Sequence, residues 1–281
     1  MRSYFKQKIA TLVNLVRLDQ SILFLTNKIF SPYIRVINYH GTPLDQAENF
    51  ERQIKYYLTK FCPATLADLE NLINGVWPYQ KPGIILSFDD GLRSNFEVAI
   101  PILEKYGLKG LFLIPPGFID EPMSTAPQFC RRSLINGVEA LKVAEVQYLA
   151  RQHYIGSHSY HHIRLKDGLS AEEIQMEVVE SRKRLEEMTH TQVRNFAWVG
   201  GENWSYGRDS AVAIGAAGYQ LVFAGNSLPV TSSTHPFWIY RTNVESDWPI
   251  DLVRMQLSGL ADLWHWPSRA RLRRNLCEVT K

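Results

Sequence analysis

Two adjacent carboxylates are the side chains in this sequence that first suggest chemistry. Asp89 and Asp90 directly follow the apolar run 84–86, and Gly91 comes after them. Neighbouring carboxylates repel each other, and a divalent cation or an arginine would relieve that repulsion. The other interpretation is an ordinary turn, because Asp-Gly is a common turn dipeptide. The pair therefore needs a second group of residues before it indicates a site.

A histidine cluster supplies that second group. His158 and His162 are four residues apart, with His161 as a third candidate, and they follow the short apolar piece 154–155. Imidazole is a common ligand for zinc and similar metals. Two imidazoles and one carboxylate, with other positions open to water, have the composition of a hydrolytic metal site. Asp and His pairs at two strand ends therefore predict a metal-dependent hydrolase.

The two segments resemble the defining motifs of a known family. Ser87-Phe88-Asp89-Asp90-Gly91 is similar to the first motif, Thr/Ser-Phe-Asp-Asp-Gly, of the NodB-type polysaccharide deacetylases, carbohydrate esterase family 4. The second motif of that family, His-Ser/Thr-x-x-His, is similar to His158-Ser159-Tyr160-His161-His162. The order of the motifs fits as well, and the resemblance extends over roughly residues 34–244.

The resemblance implies a role for each motif residue. Asp90, His158 and His162 would hold one divalent metal, with Zn2+ expected first and Co2+, Ni2+ or Fe2+ as alternatives. Asp89 would be the general base that takes a proton from water. The expected reaction removes the N-acetyl group from an acetylated amino sugar in a polysaccharide or glycan precursor.

Protonation of the leaving amine requires a general acid, and the sequence offers three histidines for it. His40 follows Tyr39 at the end of a predicted strand, which resembles a group within the family that carries a Tyr-His strand before the first motif. His265 lies in a Leu-Trp-His sequence that matches the letters of a late Leu-x-His motif, and His235 is a poorer third option. We favour His40 over His265, and the other interpretation of His40 is a hydrogen-bonding histidine at a strand end.

The third motif of the family is altered in this chain. Phe196-Ala197-Trp198-Val199-Gly200-Gly201 has Trp and Val where the family has an aromatic residue and proline. Trp198 either stacks on a sugar or packs in the core. The Gly200 amide is a candidate donor to an oxyanion. Contact with an arginine, for which Arg241 is a candidate, would keep Asp89 ionised.

Helices alternate with strands throughout the chain, which predicts a parallel sheet with helical crossovers. The resemblance implies a distorted (β/α)7 barrel, the NodB homology fold, over residues 34–263. An N-terminal amphipathic helical extension, 1–33, and a basic C-terminal tail, 264–281, would flank it. Gly, Pro and Ser residues in 117–137 predict a long loop over the site.

The charges are concentrated at the two ends of the chain, although the net charge is only +3. Residues 1–35 hold six Lys and Arg against one Asp, and residues 264–281 hold five against one Glu. Basic ends favour contact with an anionic membrane surface over nucleic acid, since no nucleic-acid-binding motif is present. Two solvated basic ends are an equally good interpretation. The three cysteines form no CxxC pair, which favours a reducing compartment.

The region 3–30 has helical spacing, with Leu12, Val16 and Leu25 among its apolar positions, and the polar residues 19–21 interrupt the apolar run. Spanning a bilayer takes about 20 mostly apolar residues, and the region also lacks the features of a signal peptide. It either lies on a membrane surface or packs on the barrel, and we slightly favour packing. A cytoplasmic location, with membrane association left open, is the corresponding prediction.

Two further functions compete with sugar deacetylation. Relatives in the family that the motifs resemble cleave cyclic amides and ureides, so another C–N hydrolase on the same scaffold is one alternative. A glycan-binding protein with a decayed site is the other. The intact Asp and His pairs argue against the binding protein, because drift would have removed at least one of them.

Overall fold

A computed structural model describes residues 2–120 and 139–270 of the 281-residue chain. Within them, eight parallel strands form one sheet in the order β1-β8-β7-β6-β5-β4-β3-β2, and β1 also pairs with β3. The sheet therefore closes into a barrel of seven strands, while the two-residue β2 pairs only with β3. The strands are β1 Ile34–Tyr39, β2 Cys62–Pro63, β3 Gly83–Phe88, β4 Gly110–Ile114, β5 Tyr154–Ser157, β6 Asn195–Ala197, β7 Leu221–Ala224 and β8 Ile239–Asn243.

Helices connect the strands on the outside of the barrel, which confirms the predicted (β/α)7 architecture. The helices are α1 Arg2–Leu15, α2 Leu18–Phe30, α3 Ala47–Lys60, α4 Leu66–Ile73, α5 Ile100–Lys105, α6 Pro116–Asp120, α7 Val143–Gln152, α8 Ala171–Ile174, α9 Ser181–Thr189, α10 Arg208–Ala216, α11 Ile250–Leu257 and α12 Leu260–Trp264. Two π-helical segments, Asn95–Ala99 and Gln175–Glu180, lead into α5 and α9.

Local sequence explains where several helices begin. Thr65 caps α4, since its hydroxyl accepts from the Asp68 amide and the Asp68 carboxylate accepts from the Thr65 amide. Ser170 and Glu173 form the same reciprocal cap on α8. Both helices therefore begin where a Ser or Thr is followed three residues later by an acidic residue. The predicted loop 117–137 begins within the short helix α6, and its remaining residues lie outside the described part of the chain.

The inside of the barrel is apolar at one end and polar at the other. Alternate side chains of each strand point inward. Near the amino ends of the strands these are apolar and fully packed: Ile34, Val36, Ile85, Leu111, Leu221 and Ile239. Near the carboxyl ends the same alternation brings Asn38, Ser87, Asp89 and Arg241 inward, all of them buried. The carboxyl end is where α/β barrels assemble their chemistry, so the fold places the polar layer there.

The N-terminal region forms two helices that pack against the side of the barrel, as favoured from the sequence. The two helices meet at Arg17, whose backbone is left-handed, shortly before the polar residues 19–21 that interrupt the apolar run. The carboxylate of Asp19 pairs with Arg254 on α11 at 2.9 Å, and the Thr26 hydroxyl donates to the Ser258 carbonyl at 2.8 Å. Among the described helices, none is both long enough and apolar enough to cross a membrane.

Candidate active site

A strained turn at the end of β3 positions the first motif. Asp89 continues the inward alternation of the strand, while Asp90 and Gly91 both adopt left-handed backbone, with φ of 70° and 62°. A side chain on Gly91 would also bring a Cβ within 3.2 Å of the Ile114 methyl group. A left-handed residue that is not glycine costs about 1–3 kcal/mol and is typical of functional sites. Asp89-Asp90-Gly91 therefore forms a turn, and the same turn carries two residues of the candidate active site.

The second motif forms a tight loop after β5, and the buried carboxylate of Glu177 binds the backbone of this loop. Glu177 accepts hydrogen bonds from the backbone amides of Tyr160 and His161, both at 2.9 Å. Its other oxygen lies 2.6 Å from Nδ1 of His161. The ring of His161 thus binds Glu177 and is not part of the cluster of possible metal ligands. His161, the third histidine considered as a ligand from the sequence, therefore has a structural role. Glu177 itself was missed, because nothing in its π-helical segment marks it.

The remaining three predicted ligands come together. Asp90 offers a carboxylate oxygen, and His158 and His162 each offer a ring nitrogen. These three ligand atoms lie within 4.8 Å of one another. Nε2 of His162 is 3.0 Å, and Nε2 of His158 is 3.6 Å, from Oδ1 of Asp90. That oxygen is buried and accepts no hydrogen bond from any described residue, which is rare for a buried acceptor. Two imidazoles and one such carboxylate form a donor set that fits a divalent metal.

The imidazole ring of His158 leaves one nitrogen lone pair available for a metal. Nδ1 of His158 lies 3.0 Å from the carbonyl of Ala197, so Nδ1–H donates there and Nε2 keeps its lone pair. Burial lowers the pKa of His158 to about 4, so the ring is neutral at neutral pH. Burial by itself would raise the pKa of Asp90, but the nearby rings of His162 and His158 hold that pKa below its usual value. Asp90 and His158 are thus in the protonation states that metal binding needs.

Asp89 is clamped beside this cluster. Both of its oxygens face the guanidinium of Arg241, at 2.6 and 2.9 Å, and the amide of Asn38 donates to it at 2.9 Å. Burial would raise the pKa of Asp89, yet Arg241 and then His158 outweigh burial and hold the pKa well below the usual range. The structure therefore contains the arginine contact predicted from the sequence, and Asp89 is a permanently ionised, weakly basic carboxylate.

His40 lies at the same end of the barrel, directly after β1. Its Nδ1 is 2.8 Å from Oε1 of Glu245, and Asn95 donates to its backbone carbonyl at 2.7 Å. Burial lowers the pKa of His40, but the Glu245 carboxylate, together with the charges of Asp90 and Asp89, raises it to about 9. His40 is therefore protonated at neutral pH. Glu245 was missed in the sequence, where its only signal was an acidic residue shortly after the last strand.

The two alternative acids lie elsewhere. His265 follows α12, and Asp262 of that helix binds Arg35 at 2.9 Å on the outside of the barrel, near the amino end of β1. His235 precedes β8 and therefore lies at the amino end of that strand. Asp89 and Asp90 are at the carboxyl ends. Of the three candidates, the barrel brings only His40 to the carboxylates.

Trp198 of the altered third motif belongs to the core. It is 1% exposed and stacks on Trp238 with ring centroids 6.1 Å apart. The sugar-stacking interpretation of Trp198 is therefore wrong. A different tryptophan, Trp204, is 57% exposed, and its ring packs 5.3 Å from the guanidinium of Arg164, two residues after His162. Nothing in the local sequence distinguishes Trp204, because exposure depends on the packing of the whole barrel.

Comparison with known proteins agrees with the motifs and the fold. The sequence profile of the family described as polysaccharide deacetylase matches residues 78–222, more than half of the chain. The chain therefore belongs to the polysaccharide deacetylase family. YxkH of Bacillus subtilis (strain 168), named for the same family, is 25% identical over 138 residues, which are 49% of this chain and 43% of YxkH. This chain thus aligns with less than half the length of that relative.

Solved structures of deacetylases have the same fold. The Streptococcus pyogenes deacetylase PplD, determined in complex with acetate, superposes with a TM-score of 0.64 at 17% identity, over 80% of this chain and 98% of PplD. IcaB from Ammonifex degensii gives the same TM-score and identity over 83% of this chain and 98% of its own. The expected NodB-type fold and the expected enzyme class, a hydrolase of the N-deacetylase type, are confirmed at the level of the family.

Proposed function

We propose that this protein is a metal-dependent hydrolase that removes N-acetyl groups from an acetylated amino sugar in a polysaccharide or glycan precursor. The observation that carries the proposal is the convergence of three kinds of group at one end of the barrel. These are a three-ligand cluster, a clamped carboxylate and a protonated histidine. Hydrolysis of an amide requires each of them: activation of water, a proton acceptor and a proton donor.

Asp90, His158 and His162 would hold the metal, with Zn2+ expected first and Co2+, Ni2+ or Fe2+ as alternatives. When bound, such an ion supplies a Lewis acid for the amide carbonyl and lowers the pKa of water from 15.7 to about 7. The Gly200 amide as a further donor to the oxyanion remains a prediction.

Asp89 and His40 would handle the protons. Asp89 would accept the proton of water, because it is ionised at neutral pH; its lowered pKa makes it a weak base, so the step would depend on activation of the water. Water adds its hydroxyl to the acetyl carbon, the C–N bond breaks, and acetate leaves. The amine nitrogen takes its proton from His40, whose pKa is raised to about 9 and which is therefore charged at neutral pH.

The ion pair of His40 and Glu245 should set the alkaline limit of activity. A general acid works only below its pKa, so we expect kcat/KM of the metal-loaded protein to fall as pH rises towards about 9, earlier if the cation lowers the pKa of His40. Glu245→Gln removes the carboxylate that raises this pKa. The pH above which kcat/KM falls should therefore decrease by about one to two units, towards the ordinary pKa of histidine. The measurement is the pH profile of acetate release.

Glu48→Gln is the matched control for Glu245→Gln, because Glu48 pairs with Arg52 on the exposed surface of α3. Its profile should coincide with that of the wild type. An alkaline limb that stays in place in Glu245→Gln would show that His40 is not the proton donor.

Trp204 is expected to form part of the surface on which the sugar rests. An exposed indole close to the second motif offers a flat apolar face to a sugar ring. Trp204→Ala should raise KM for an oligosaccharide about tenfold and change kcat little, since about 1.4 kcal/mol of binding corresponds to a factor of ten. Trp264→Ala, another exposed tryptophan but on α12, serves as control. Equal KM values in Trp204→Ala and the wild type would remove Trp204 from the substrate site.

A substrate screen tests the proposal as a whole. Metal-loaded protein is incubated with N-acetylated amino sugars in oligomeric, nucleotide-linked and lipid-linked form, and acetate is quantified. Release of acetate in proportion to new free amine supports the proposal. Turnover of cyclic amides or ureides alone would favour the other C–N hydrolase, and metal binding without any turnover would favour a glycan-binding protein. The cytoplasmic location stays a prediction, which cell fractionation can check.

A further inference from the structure

The helix α2 buries two polar side chains against the protein and leaves three apolar side chains in solvent. Asp19 and Thr26 are buried, and they bind Arg254 in the middle of α11 and Ser258 directly after it. On the opposite side Phe24, Leu25 and Ile29 are 58%, 55% and 71% exposed. A soluble surface helix normally has the reverse arrangement.

The same arrangement holds at the end of α1. The Asn14 side chain is buried and donates to the backbone carbonyl of Asp251 at 2.8 Å. Its neighbours Leu12, Leu15 and Val16 are all more than half exposed. Asn14 therefore fixes α1 against α11 through a polar contact, and the apolar side chains around the helix junction are left outside.

The exposed apolar side chains of α1 and α2 lie on two helices that contact each other, and Ile29 of α2 lies beside the end of the described chain. Ile29 and Trp266 line the same cavity, which has a volume of about 1090 Å3, and Trp264 is 84% exposed nearby in the sequence. We call this surface the apolar face, and its exposed residues are Leu12, Leu15, Val16, Leu18, Phe24, Leu25, Ile29, Trp264 and Trp266. Single exposed apolar residues are common, whereas a cluster of this kind marks an interaction surface.

The charges around the apolar face indicate what covers it. Lys28 stacks over Phe24 at 4.9 Å, and Arg17 is exposed where the two helices meet. Asp19 is the only acidic residue in 1–33, and it is buried against Arg254. The outer side of both helices is therefore apolar and basic. Basic residues beside Trp, Phe and Leu are typical of helices that lie in the interface of an anionic bilayer.

We propose that the apolar face docks this protein on an anionic lipid bilayer. The barrel would stay outside the lipid, with α1 and α2 lying in the headgroup region. A second copy of the chain is a poorer occupant, because two copies meeting through this face would bring like charges together. The proposal does not depend on the deacetylase activity.

Vesicle flotation of the full chain tests it. We expect binding to vesicles of phosphatidylcholine mixed with phosphatidylglycerol, weak binding to phosphatidylcholine alone, and loss of binding at high salt. Phe24→Ser/Leu25→Ser/Ile29→Ser should reduce the bound fraction more than about tenfold, because three exposed apolar side chains no longer enter the lipid. Arg17→Gln/Lys28→Gln should weaken binding to anionic vesicles by about fivefold per charge.

The matched control removes exposed apolar side chains elsewhere: Val76→Ser/Met176→Ser/Val212→Ser. It should bind vesicles as the wild type does, and all variants should keep the wild-type melting temperature and acetate release from a soluble substrate. The proposal is overturned if the wild type does not bind anionic vesicles, or if the Phe24/Leu25/Ile29 variant binds unchanged. It is also overturned if light scattering shows a dimer that this variant dissociates, since a second copy would then cover the face.

Discussion

Asp90→Asn is expected to abolish stoichiometric metal binding and to lower the rate of acetate release by about a thousandfold or more. The substitution keeps the size of the side chain but removes the negative charge that faces His158 and His162. A divalent ion contributes several kcal/mol to transition-state stabilisation, and each 1.36 kcal/mol is a factor of ten in rate. Metal content by mass spectrometry, measured beside the rate, links the two losses.

His158→Ala should lose the metal as well, whereas His161→Ala should keep it, because Glu177 engages the ring of His161 outside the cluster. The histidine pair thus gives an internal control for the ligand assignment. A protein purified with metal present that binds none, or an Asp90→Asn variant that binds a full equivalent, would contradict the three-ligand site.

Arg241→Met is expected to lower the free energy of unfolding by about 3–5 kcal/mol, the usual cost of leaving one partner of a buried ion pair without the other. Arg241 and Asp89 are each 3% exposed, and the guanidinium contacts both carboxylate oxygens. Methionine fills much of the volume, so the loss arises chiefly from the unpaired charge. Urea denaturation of the metal-free protein at neutral pH measures it.

Low pH should reduce the free energy of unfolding that Arg241→Met costs. The folded-state pKa of Asp89 lies below its unfolded value, so the contribution of the pair is complete above about pH 4 and is lost as pH falls towards the folded pKa. The cost of Arg241→Met should therefore be smaller at pH 3 than at pH 7.

The double variant Asp89→Asn/Arg241→Met should recover part of the stability, because no buried charge is then left unpaired. Arg52→Met, which breaks a pair on the surface of α3, should cost less than about 1 kcal/mol. If Arg241→Met costs no more than Arg52→Met, the clamp on Asp89 does not stabilise the fold.

Local sequence patterns were enough to predict the fold class and the residues at the centre of the candidate site. Alternation of helices and strands encodes parallel crossovers, and short apolar strands that end in Asp89-Asp90-Gly91 and in His158 encode where each motif lies. Parallel strands all present their carboxyl ends at the same side, so the two motifs had to meet. These features depend on local chemistry and on chain direction, and both can be read from one sequence.

The tertiary structure decided everything that depends on a partner distant in the chain. Glu245 lies 205 residues from His40, and Arg241 lies 152 residues from Asp89, so barrel closure alone brings them together. Trp198 became core and Trp204 surface because burial is a property of the packed barrel. The packing of α2 was likewise decided by polar groups on and beside α11, which bind Asp19 and Thr26 while Phe24, Leu25 and Ile29 stay in solvent. Long-range contacts outweigh local pattern wherever a buried polar group must find its partner.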